Sequence, residues 1–199
     1  MKKSLFKKIT AFLISSVLIL LNTTFPICAY DASTSEDDTV LEMVQDTDGS
    51  YYCIIPCEIE IYSDNTNLVP TPCADCSKQF TGKIEARYYL ESHDLTMSII
   101  IKRKWGTGLL KSITGQIDFS QFSSDGYLFP RNPDDSYVNV EENLRKPLTQ
   151  ISAGNTVGGV VASQGDCFKF SANGTFLLVD GYGAFHAEAT YKYIEINWS

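Results

Sequence analysis

Residues 51–61 read Tyr51-Tyr52-Cys53-Ile54-Ile55-Pro56-Cys57-Glu58-Ile59-Glu60-Ile61. Tyr51, Cys53, Ile55, Cys57, Ile59 and Ile61 stand on odd positions, whereas Glu58 and Glu60 stand on even ones. A strand sends successive side chains to opposite faces, so this spacing predicts a strand with an apolar inner face and an acidic outer one. Pro56 has no amide to donate and predicts an edge position or a bulge.

Further along, the alternation returns with the opposite parity. Phe80, Ile84, Ala86, Tyr88 and Leu90 alternate with Thr81, Lys83, Glu85 and Arg87. After the polar tetrad Glu91-Ser92-His93-Asp94, Leu95, Met97, Ile99 and Ile101 alternate with Thr96, Ser98 and Lys102. This predicts a hairpin of residues 79–90 with 95–105. Past Gly106-Thr107-Gly108, the positions Leu109, Ile113, Ile117 and Phe119 predict a third strand, completing a meander.

Residues 120–165 are rich in turn formers, with short strands expected at 137–140 and 157–162 and a helical turn at 141–146. The C-terminal part predicts strands at 166–171, 175–179 and 184–198. Asn173-Gly174 carries a two-residue hairpin signal, because both residues tolerate positive φ. Asp180-Gly181 supplies a further turn. The fold class is therefore all-β, an antiparallel sandwich or barrel of about seven to nine strands without a long helix.

Toward the N-terminus the character changes. Lys2, Lys3, Lys7 and Lys8 precede the apolar run Ile9 to Leu21, which ends near Ile27-Cys28-Ala29. This is the pattern of a secretory signal peptide, residues 1–29, cleaved near Ala29. The run is short for a bilayer span and no second one follows, so no membrane span is expected after cleavage. Residues 30–49 hold Asp31, Glu36, Asp37, Asp38, Glu42, Asp46 and Asp48 and no basic residue. They read as an acidic, flexible leader to a single β-domain at 50–199. Within the leader, Thr39 to Val44 has a weak strand signal, and Asp46-Thr47-Asp48-Gly49 reads as a turn into the strand at Tyr51 rather than a calcium loop.

The 199-residue chain has 24 acidic and 16 basic side chains, a formal charge of −8. Loss of the four N-terminal lysines leaves 24 acidic and 12 basic residues, net −12. Such a charge repels phosphate backbones and argues against general nucleic-acid binding.

Five cysteines remain after cleavage, and four of them form C-x3-C and C-x2-C pairs: Cys53, Cys57, Cys73 and Cys76. Export favours disulfides, and a nested pairing of Cys53 with Cys76 and Cys57 with Cys73 suits an antiparallel return of the chain. The alternatives are a structural zinc held by four thiolates, or free and partly paired thiols. The disulfide and zinc readings both make the segment a structural staple, and neither gives an activity.

Cys167 is left over. With His186 it resembles the cysteine-before-histidine order of papain-like and transglutaminase-like hydrolases. Those families place the nucleophile at a helix start, whereas Phe168-Lys169-Phe170 reads as strand. Only Glu195 and Asn197 remain as third members. His93 falls in a predicted turn. His186 shares an outward face with Glu188, Thr190 and Lys192.

Lys102-Arg103-Lys104-Trp105 is a basic cluster. Lys102 and Lys104 face outward with Trp105 near a strand end, either a contact for an anionic polymer or a charged edge that discourages strand addition. Tyr51, Tyr52, Trp105, Tyr191, Tyr193 and Trp198 are rings that a carbohydrate groove would use, although such residues equally build β-cores.

The Lys-rich signal peptide, the acidic leader, and the run Leu95-Thr96-Met97-Ser98-Ile99-Ile100-Ile101 ahead of Lys111-Ser112-Ile113-Thr114-Gly115 together resemble the small exported β-domain proteins of Gram-positive bacteria. The resemblance implies an exported β-domain and carries over no catalytic or binding residue. The expected function is that of a secreted, non-enzymatic binding protein meeting an extracellular protein or cell-wall polymer. The alternatives are a cysteine hydrolase or acyltransferase on Cys167 and His186, and a carbohydrate-binding module.

Overall fold

The computed structural model describes residues 40–63, 73–130 and 135–193. The expected signal peptide, its cleavage point near Ala29, leader residues 30–39, and Glu195, Asn197 and Trp198 lie outside the described residues.

The strands are β1 (Leu41–Glu42), β2 (Val44–Gln45), β3 (Tyr51–Ser63), β4 (Phe80–Tyr89), β5 (Asp94–Arg103), β6 (Leu110–Phe122), β7 (Tyr137–Leu148), β8 (Gln150–Val157), β9 (Cys167–Leu178) and β10 (Gly181–Lys192). A single short helix, α1 (Ala74–Ser77), interrupts them among the described residues. Eight strands follow one another as β7-β6-β9-β10-β3-β4-β5-β8, every neighbouring pair antiparallel. β7 runs into β8 through the single residue Thr149, so the two ends of this path meet at a corner. The sheet thereby curls into a nearly closed barrel.

The period-two reading accounts for the interior. Tyr51, Cys53, Ile55 and Ile61 on β3, Ile84, Ala86 and Tyr88 on β4, and Leu95, Met97, Ile99 and Ile101 on β5 are all buried. Phe119, Phe168, Phe170, Phe176 and Phe185 fill the opposite wall, each at most 2% exposed. An eight-stranded barrel has an interior that side chains just fill, and each such side chain contributes about 1.5–3 kcal/mol when fully buried.

Pro56 pairs with Lys83 of β4, while pairing of β3 with β10 begins only at Glu58. On its other flank the proline therefore leaves no ladder bond unmade. From there β3 and β10 splay apart. β1 pairs parallel to β10 at Tyr191, and β2 pairs with β3 at Tyr52. The Tyr191 hydroxyl bridges the split by donating to the Ile54 carbonyl at 2.7 Å.

Several expectations are corrected. The hairpin of β4 with β5 forms, but β6 does not continue it as a meander. β5 takes β8 on its free edge, and β6 crosses to pair with β9 and β7. Asn173-Gly174 lies within β9 rather than at a turn, and the hairpin closes instead at Val179-Asp180. Gly174 is there because a Cβ would lie 2.6 Å from the Phe185 ring and 2.5 Å from the Thr114 carbonyl. Residues 141–146 belong to β7 and not to a helical turn, and β8 ends at Val157, where a strand had been expected to start. Residues 40–49, assigned to the leader from their charge, carry β1 and β2, and Met43 among them is buried.

Candidate functional site

The four staple cysteines separate. Register places Cys53 opposite Ala86 and Cys57 opposite Gly82, with both thiols turned into the barrel wall. Burial pushes each thiol up to about 12. Cys73 instead bonds Cys76, whose Cα is 5.1 Å away on the next turn. The nested pairing is thus replaced by a local one, because β3 aims its two sulfurs inward while the C-x-x-C turn closes on itself. With these two sulfurs joined, no three His, Cys, Asp or Glu side chains come together as a metal site among the described residues.

Cys167 and His186 do not meet. Cys167 stands opposite Lys192, whereas His186 stands opposite Asn173, six register steps away. At about 3.3 Å per residue that is roughly 20 Å along the strand. The Cys167 thiol is half-buried and shifted upward, first by desolvation. His186 is exposed, as its parity predicted. His93 occupies the β4–β5 turn with φ 56°, where its carbonyl accepts from Val160 at 2.8 Å.

Three of the six suggested sugar-stacking rings are core. Tyr51, Tyr191 and Tyr193 are buried, Tyr51 meeting Tyr193 edge-on at 4.9 Å. Tyr52 is half-buried under the Arg87 guanidinium, 5.3 Å from its ring centre. Arg87 also donates to Asp46 at 2.7 Å and pairs with Glu85 at 3.2 Å. This network ties the Asp46–Gly49 turn to β4, and the bond from Arg87 holds the Asp46 carboxyl below its ordinary range.

The basic cluster behaves differently. Lys102 and Lys104 are exposed, Trp105 is 53% exposed, and Arg103 turns back to donate to the Gly108 carbonyl at 3.1 Å. Beside Lys102 lies a shallow outer groove of about 480 Å³ across β3, β4, β5 and β8. Ile54, Pro56 and Ile100 form its apolar floor, with Lys83, Lys102 and Gln150 around it. Lys83 is already paired with Glu85 at 3.3 Å.

Pairing brings further cations to the same end of the barrel. Lys102 registers with Gln150 at the start of β8, and Leu148 at the end of β7 registers with Leu110 at the start of β6. The register slips between Leu110 and Ser112, and there β7 bulges outward through Arg145 and Lys146 opposite Lys111. Among the described residues, Lys102, Lys104, Lys111, Arg145 and Lys146 enter no ion pair. Sequence reading missed the last three. Lys111 is nine positions from Lys102, but Arg145 and Lys146 are more than 40 away, and local pattern does not show that β6 and β7 end beside β5 and β8.

Comparison of the chain with family models, with curated proteins and with solved structures found no match. No helix among the described residues is long and apolar enough to cross a membrane.

Proposed function

We propose that this chain is an exported, non-enzymatic binding domain whose partner is an anionic extracellular polymer, taken along the basic end of the barrel and the adjoining groove. One observation carries the reading. On a chain of formal charge −8, five cations that enter no ion pair among the described residues are gathered around the strand ends of β5, β8, β7 and β6. An acidic body with one basic rim orients a polyanion toward that rim and repels it elsewhere. Trp105 and the floor of Ile54, Pro56 and Ile100 add apolar contact for the polymer's backbone.

Binding of poly(glycerol phosphate) and of dextran, measured side by side, tests the reading. Saturable binding of the phosphate polymer that Lys102→Glu with Lys146→Glu weakens about tenfold or more supports it. Equal binding of dextran would favour a neutral-glycan surface instead. For that second reading the stacked pair Tyr62 and Tyr182, 5.0 Å apart on the outer face of β3 and β10, is the platform. Binding of neither polymer would end both.

A further inference from the structure

We propose that the Cys73–Cys76 pair is a thiol–disulfide exchange site that accepts two electrons from a protein dithiol while the barrel stays folded. A disulfide stabilises chiefly by closing a long loop of the unfolded chain, and this one spans a sequence separation of only 3. The turn it spans is closed without it. Cys76 N–H donates to the Cys73 carbonyl at 3.0 Å, Ser77 N–H to the same carbonyl at 3.1 Å, and Gln79 N–H to the Cys76 carbonyl at 3.0 Å. Cys73 N–H in turn donates to the Ile61 carbonyl at 2.9 Å, fastening the turn to β3. Opening the sulfur bridge removes none of these bonds.

The pair is also within reach of a partner thiol, since both cysteines are only partly buried. Its turn lies at the surface, with the Asp75 and Lys78 side chains largely in water, whereas Cys53 is buried in the barrel wall and Cys57 is partly buried against it. The two sulfurs are not equivalent. Cys76 packs against the core, while Cys73 Sγ accepts a 3.3 Å hydrogen bond from Cys76 N–H, a donor placed to stabilise a thiolate at Cys73.

The exchange balances as follows. A partner thiolate attacks Cys73 Sγ, a new S–S bond forms, and the Cys73–Cys76 bond breaks with the electron pair leaving on Cys76, which takes a proton from water. The partner's second thiol, deprotonated, then attacks the partner sulfur of the mixed disulfide. Cys73 leaves as the thiolate held by the Cys76 N–H and is protonated in turn. The partner dithiol is oxidised to a disulfide, and Cys73 and Cys76 are reduced to thiols.

The purified chain is titrated with dithiothreitol while maleimide labelling and near-ultraviolet circular dichroism are followed together. Separately, Cys76→Ser and Cys73→Ser are each exposed to oxidised glutathione. The expected result is reduction of this pair with the aromatic signal unchanged, and mixed-disulfide formation at Cys73 in Cys76→Ser about tenfold or more faster than at Cys76 in Cys73→Ser. Collapse of the aromatic signal in step with reduction would overturn the proposal, because the bridge would then be a staple. Equal rates in the two variants would overturn it as well.

Discussion

Gly174 of β9 stands opposite Gly115 of β6, and the Phe185 ring occupies the space that either residue's Cβ would need, 2.6 and 2.7 Å from those positions. Alanine is ordinarily the better residue in a strand, yet here its Cβ has to displace a ring that is 2% exposed, and it also crowds the Thr114 carbonyl at 2.5 Å. Gly174→Ala is expected to cost about 1–3 kcal/mol in urea unfolding. The same change in a Phe185→Leu background costs less, since the smaller side chain leaves room. An equal cost in both backgrounds would show that the ring is not the obstacle.

The bond from Arg87 to Asp46 sets a pH dependence. Asp46 has a folded pKa below its ordinary value, so the stability it contributes is present above the unfolded pKa near 4 and is lost as pH falls through the folded value. Asp46→Asn is therefore expected to be less stable than the parent at pH 7 and indistinguishable from it in strong acid. Denaturation midpoints measured from pH 7 down to pH 2 check this, and a constant gap would refute the linkage.

Cys53 and Cys57 are expected to resist labelling. With pKa values of about 12, each is only about one part in ten thousand thiolate at pH 8. Native protein should react with a maleimide at Cys167 first, more slowly at the half-buried Cys57, and at the buried Cys53 only on unfolding. Because these folded values lie above the ordinary 9.0, their contribution to stability is full below pH 9 and declines between about 9 and 12. Rapid modification of three thiols in the native state would contradict the burial.

Gln121 anchors the loop that follows β8. It is 2% exposed, and its amide donates to the Val161 carbonyl at 2.7 Å and to Asp166 Oδ2 at 3.0 Å. Ser163 N–H completes the shell around that carboxylate at 2.9 Å. Gln121→Ala leaves a carbonyl and a carboxylate short of a donor, and about 2–4 kcal/mol of stability is expected to go. Amide exchange at Ser163 and Asp166 should quicken with it. A change under 0.5 kcal/mol would mean that the loop is held by something else.

The alternation of side chains made the β-class and nearly every inward residue of β3, β4 and β5 legible before any coordinates. The pairing of β6 was not legible, because local pattern carries no information about which distant strand takes an edge. Asn173-Gly174 misled for a similar reason. The dipeptide is a turn former locally, but the Phe185 ring, brought in by pairing, needs a glycine beneath it. At the candidate site, Lys102, Lys104 and Trp105 could be picked out as neighbours in sequence. Lys111, Arg145 and Lys146 join them only through the slipped register of β6 with β7.

The corner at Thr149 has a mechanical meaning. Away from it, β7 and β8 diverge, leaving a slit of about 380 Å³ flanked by Tyr137 to Asn139 on one side and Asn155 to Gly158 on the other. Every other pair of neighbouring staves in this cask is hooped by a ladder along at least part of its length, but along this line there is no ladder to break. Thermal breathing should begin as a parting of these lips, so the cask gapes at one predetermined crack while the aromatic packing behind it stays dry.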